Sequence, residues 1–157
     1  MDSSVIDEDI TIVSCYIDLG KIEQRAKTSE TYLNHLRSFL ELRYNMVLYV
    51  DQTFIEEIKK IRKNCGLLDR THIIEIEYED LPKYKYRTRL LQNYKSRPPH
   101  NKAIAPYNPK KDTGNYMILN CPKFNFVVQP IKLNYFNTQY YLWIDMGIKG
   151  AVSDMVG

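Results

Sequence analysis

The chain has 157 residues, about one domain's worth, with 44% apolar and 26% charged residues, a balance that excludes wholesale disorder, collagen and coiled coil. Its net charge of +3 conceals an asymmetry: nine Lys or Arg and no acid fall between Lys83 and Lys111, while the remainder carries thirteen cations against nineteen acids. One localised anionic ligand fits that pattern better than a uniformly charged coat.

Residues Ile10 to Ile17, ITIVSCYI, are nearly all apolar or β-branched and predict a strand covered on both faces, closed by Asp18 and Gly20. From Ser29, the spacing of Tyr32, Leu33, Leu36, Phe39 and Leu40 predicts a helix crossing back over the sheet. A second strand, Met46 to Val50, ends at Asp51, and Thr53-x-x-Glu56 reads as a capping box opening a helix that Asn64-Cys65-Gly66 can stop. Thr71 to Ile76 is a third strand. Residues 83–115 read as a basic, irregular segment broken by prolines, with room for a short helix from Tyr86 to Tyr94. Met117, Cys121, Phe124, Val128 and Ile131, spaced 4, 3, 4 and 3, predict the apolar stripe of one more helix, with Asn120 and Pro122 compatible with its start and Pro130 near its end, and Tyr140 to Ile144 a last strand. The result is a single α/β domain over 1–157, Rossmann-like, with a mainly parallel sheet and helices on both faces, a flexible start over 1–9 and a shortened end over 150–157.

No run approaches the roughly 18 apolar residues that a membrane span needs. The opening MDSSVIDED holds four acids and no apolar signal core. Cys15, Cys65 and Cys121 are too few and too scattered for a disulfide framework. A reducing, cytoplasmic setting is expected. His35, His72 and His100 have no serine motif to partner them, and none of the six glycines builds GxGxxG or GxxxxGK, so a hydrolase triad, a dinucleotide fingerprint and a P-loop are all poor readings.

Ligands of open α/β sheets sit beyond the carboxyl ends of the strands. Asp18, Asp51, Glu79, Asp80 and Asp145 occupy those ends. Asp51 doubles as a turn former ahead of a helix. Asp145 follows four large apolar residues that include Trp143, the sole tryptophan, and precedes Met146-Gly147, where a ligand could approach the backbone closely. A diphosphate would need two or three convergent cations, and Arg87 of the basic window is a candidate. The same window interleaves its cations with Tyr84, Tyr86, Tyr94 and Tyr107, so a nucleic-acid-binding module using 83–111 is the alternative.

The segment NCPKFNFVVQPIKLNYFNTQYYLWIDMGI, from Asn120 to Ile148, resembles the HtrL/YibB family, whose members carry a lysine-bearing helix, an asparagine-aromatic turn and a strand ending in Trp-x-Asp-x-Gly. TIVSCYIDLG, YLNHLRSFLEL and MVLYVD are similar to its first strand, first helix and second strand. The resemblance implies a glycosyltransferase-like domain of the GT-A kind, binding a nucleoside diphosphate sugar and serving an unidentified acceptor. It implies Asp145 as ligand to Mn²⁺ or Mg²⁺, Lys123 as a phosphate partner, Asp51 as acceptor from a base or ribose hydroxyl, and Asp18 and Trp143 as part of the nucleotide site. Only one acid stands where many such enzymes have an Asp-x-Asp pair. The chain stops twelve residues after Asp145, where relatives continue. That end implies the donor-binding half, or a catalytically inactive relative, with an exposed sheet edge through which copies could associate.

Overall fold

The computed structural model describes residues 7–23, 29–96 and 113–146. Readings that fall on residues 1–6, on the basic stretch 97–112 and on residues beyond 146, Gly147 included, lie outside the described residues. Four strands, β1 (Asp7–Tyr16), β2 (Tyr44–Val50), β3 (Thr71–Glu75) and β4 (Tyr140–Trp143), form one sheet in the order β3-β2-β1-β4. All three pairings are parallel.

A parallel strand must be apolar on both faces, and β2 shows how this sequence meets that demand. Met46, Leu48 and Val50 face one buried cluster, and Val47 and Tyr49 face the other. The first cluster is closed by α1 (Ser29–Leu40) and α2 (Ile55–Asn64), through Leu36, Phe39, Leu40, Ile58 and Ile61. The second lies beneath α3 (Arg87–Lys95), α4 (Gly114–Asn120) and α5 (Lys123–Leu133), through Ile118 and Phe126. Helices therefore cover both faces of a parallel sheet, as expected for the Rossmann-like class.

Two local readings change and one between them holds. The capping box at Thr53 does not form, because Asp51 accepts the Thr53 amide at 2.9 Å and starts a short 3-10 turn over 52–54. Glu56 turns instead to Lys59, at 2.8 Å. Asn64-Cys65-Gly66 does end α2: Gly66 sits at φ 67°, and the Leu67 and Gly66 amides return to the Arg62 and Lys63 carbonyls, the paired bonds of a Schellman stop.

The second change concerns the stripe of five apolar residues. It spans two helices, divided at Cys121 and Pro122, and its face points outward: Met117, Phe124, Val128 and Ile131 are exposed, Phe124 at 87%. Ile118, Phe126 and Pro130 are the buried set. Phe126 gains the inner place by packing on Tyr49, ring centroids 4.7 Å apart, and on Trp143, 5.9 Å away.

The lower end of the sheet is held by Arg62, which is fully buried on α2. Its guanidinium donates to the carbonyls of Leu40, Leu42 and Tyr44 at 2.7–2.9 Å and to Thr71 Oγ1 at 2.7 Å. One side chain thus ties the end of α1 to the starts of β2 and β3. Burial lowers its pKa to about 10, and five planar donors satisfy carbonyls that would otherwise be stranded.

Candidate functional site

The order β3-β2-β1-β4 decides where a ligand belongs. Two crossovers carry the chain from β1 outward to β2 and β3, and the third returns past β1 to β4. The direction of winding reverses between β1 and β4, and at such a switch point the loops diverge and leave a crevice beyond the carboxyl ends.

Asp145 follows β4 at that point. Its half-exposed carboxylate accepts the Trp143 indole N–H at 3.0 Å and lies 2.7 Å from Lys123 Nζ. Lys123 is the first residue of α5, which runs back against the strands and so starts at their carboxyl ends. Its ammonium also stands 6.0 Å over the Trp143 ring, a distance at which the ring face attracts a cation. Lys123, Trp143 and Asp145, named separately from the sequence, thus form one unit. What aims β4 is the turn between it and α5. Asn134, left-handed at φ 43°, closes the helix, and its side-chain oxygen accepts from the Thr138 amide and the Tyr141 hydroxyl.

On the other side of β1 a second lysine and carboxylate meet. Asp51 is fully buried; it accepts the Asp18 amide at 2.6 Å, the Thr53 amide at 2.9 Å and Lys21 Nζ at 3.1 Å. Asp51 therefore couples the exit of β1 to the exit of β2. Asp18 holds the Gly20 amide at 2.9 Å. A Cβ at Gly20 would meet that carboxylate oxygen at 2.9 Å, so the turn is closed around a residue without a side chain. Between the pairs, burial first and then Asp51 and Asp145 push the Cys15 thiol well up. The shift disfavours the thiolate at Cys15, and its causes place both carboxylates around the end of β1.

Arg87 is placed elsewhere. It opens α3 beside Tyr78, whose phenol is pushed up to about 12 mainly by burial, against the pull of Arg87. Tyr78 donates to Asn115 at 3.0 Å, and Asn115 and Thr113 donate to Glu23 at 2.9 and 2.6 Å. This network joins the loop after β1 to the start of α4. Neither Glu23 nor Lys21 has a pattern around it that could have marked it in the sequence; both act through the fold. In the described part of the basic segment, Tyr84 turns inward on Tyr78, ring centroids 5.6 Å apart. Tyr86 is exposed, with Lys85 5.1 Å over its ring.

The donor set for Mn²⁺ or Mg²⁺ is thin. Both oxygens of Asp145 already hold donors, as do both of Asp51. Strands two apart stand roughly 10 Å from one another, whereas ligand oxygens must approach one cation to about 2.0–2.6 Å. Among the described residues no group of three or more His, Cys, Asp or Glu gathers. These side chains do not fit a protein-held divalent ion. Among the same residues no helix is long and apolar enough to cross a membrane.

A family model described as "Bacterial protein of unknown function (HtrL_YibB)" matches residues 8–156. No curated protein and no solved structure matches.

Proposed function

The chain belongs to the HtrL/YibB family, and from that premise we propose that it is a glycosyltransferase-like domain that binds a nucleoside diphosphate sugar beyond the carboxyl ends of β1 and β4, for transfer of the sugar to an acceptor. The observation that carries this reading is the convergence of Lys123, Trp143 and Asp145 at the point where the winding reverses. Cation, aromatic face and carboxylate there suit phosphate, sugar or base, and hydroxyl groups respectively. Asp18, Asp51 and Lys21 border the same crevice across β1, on the side assigned to the nucleoside. A divalent ion, in this reading, would draw most of its oxygen ligands from the diphosphate and water.

The free cysteines agree with a reducing compartment, which extends the reading to a cytoplasmic protein. The nucleic-acid alternative is weakened by Tyr84, whose ring packs inward where a base would have to stack. The test is thermal stabilisation across a panel of nucleoside diphosphate sugars, with and without Mn²⁺. A ligand at 100 times its dissociation constant stabilises the native state by about 2.7 kcal/mol, so a rise of several degrees is expected with at least one donor. No shift with any donor at millimolar concentration sinks the reading.

A further inference from the structure

We infer that the diphosphate at this site is neutralised by lysine rather than by a metal ion, with Lys123 swinging from Asp145 onto the phosphates and Lys21 assisting from across β1. The inference rests on the donor-site reading above and deepens it.

Two lysine-carboxylate pairs flank the end of β1. Lys123 lies 2.7 Å from Asp145, and Lys21 lies 3.1 Å from Asp51. They are not equivalent. Asp51 is wholly buried and keeps two backbone amides whatever Lys21 does, so it is a fixed anchor. Asp145 is 46% exposed on its side chain, and among the described residues its other donor is the Trp143 indole. The Lys123 pair is therefore the one that exchanges partners at small cost, since water screens a half-exposed ion pair. A diphosphate carries more negative charge than a carboxylate and more acceptor oxygens, so it outcompetes Asp145 for the ammonium.

The same geometry disfavours a cation on Asp145. A metal there would displace Lys123 and the indole and would then meet a positive charge on α5 a few ångströms away. Among the described residues no second carboxylate shares the position, Asp51 being two strands distant. The N-cap of α5, Pro122, makes no side-chain cap bond, so the positive end of the helix dipole adds to the field of Lys123. In this arrangement Asp145 is a positioning residue: it parks the lysine and holds the Trp143 ring at the crevice.

Trp143 is the only tryptophan, and its indole bonds to Asp145, so its fluorescence reports the exchange directly. Titrations with inorganic pyrophosphate and with a set of nucleoside diphosphates, each in EDTA and in Mn²⁺, are expected to give dissociation constants within about threefold of one another. Lys123→Met should weaken binding at least tenfold and Lys123→Arg should restore it. Asp145→Asn, which keeps the shape while freeing the lysine, should tighten binding by threefold or more. Binding seen only with Mn²⁺ and lost in Asp145→Asn would overturn the inference while leaving the donor-site reading intact. Absence of binding by every probe under both conditions would sink the two together, and unchanged affinity in a folded Lys123→Met protein would remove the lysine from the site.

Discussion

Tyrosine 49 and Tyr78 show what burial does to a single side chain. Each phenol is raised from an ordinary value of 10 to about 12, chiefly because its anion would have to form away from water. Tyr49 lies under α5 with its hydroxyl 3.3 Å from Gln129, and Tyr78 donates to Asn115. Between pH 10 and 12 the native protein keeps two protons that the unfolded chain has released. The stability these groups contribute is complete below about pH 10 and is lost as pH rises through about 12. Arg62, lowered to about 10, acts in the opposite sense over the same window, so the net slope alone would mislead. The separating measurement is tyrosinate absorbance against pH. Tyr49→Phe and Tyr78→Phe should each delete one late ionisation and flatten the loss of melting temperature above pH 10. An unchanged high-pH limb in both variants would contradict the assigned burial.

Among the elements, α5 tests the packing most sharply because it is apolar on two sides. Phe126 meets Tyr49 and Trp143 inside, and Phe124, two residues earlier, stands in the open. Phe126→Ala should cost roughly 3–5 kcal/mol in urea unfolding, as a core phenylalanine does. Phe124→Ala should stay within about 0.5 kcal/mol; the reverse order would put the helix in the wrong rotation. The same helix shows where sequence periodicity stops being informative. The run from Ile10 and MVLYV from Met46 declared themselves as buried strands because only one arrangement hides a continuous apolar run. The stripe at 117, 121, 124, 128 and 131 did not, because a helix apolar all round offers two stripes, and the break at Pro122 changes their phase. The site divides in the same way. Asp145, Trp143 and Lys123 were legible from their position after a strand and from a family motif, whereas Lys21 and Glu23 reach their partners across 30 and about 90 residues. No local pattern encodes contacts of that range.

At the scale of the whole molecule, the two edges of the sheet are unlike. The β3 edge is narrowed by the exposed Glu75 and by Tyr135, which stacks on His72 with ring centroids 3.8 Å apart. The β4 edge carries Tyr-Tyr-Leu-Trp, with no charge and no proline to blunt it. Beside it, Tyr140 and Leu142 are exposed on one face, and Phe124, Val128 and Ile131 on the outside of α5 beyond the other. From Thr113 to Ile144 there is no acid at all, and only Lys123 and Lys132 are charged. A second copy related by a two-fold axis would pair β4 with β4 antiparallel and bring the two α5 helices side by side, covering both apolar faces at once. Neither packing α5 alone nor extending the sheet alone would cover both. The expected outcome is a concentration-dependent dimer in sedimentation velocity. Leu142→Lys places a charge on the edge strand, where like charges would face each other across the axis, and should shift the population to single chains with little loss of melting temperature. A parent protein that sediments with single-chain mass at every concentration up to hundreds of micromolar would show that copies of this chain do not meet through β4.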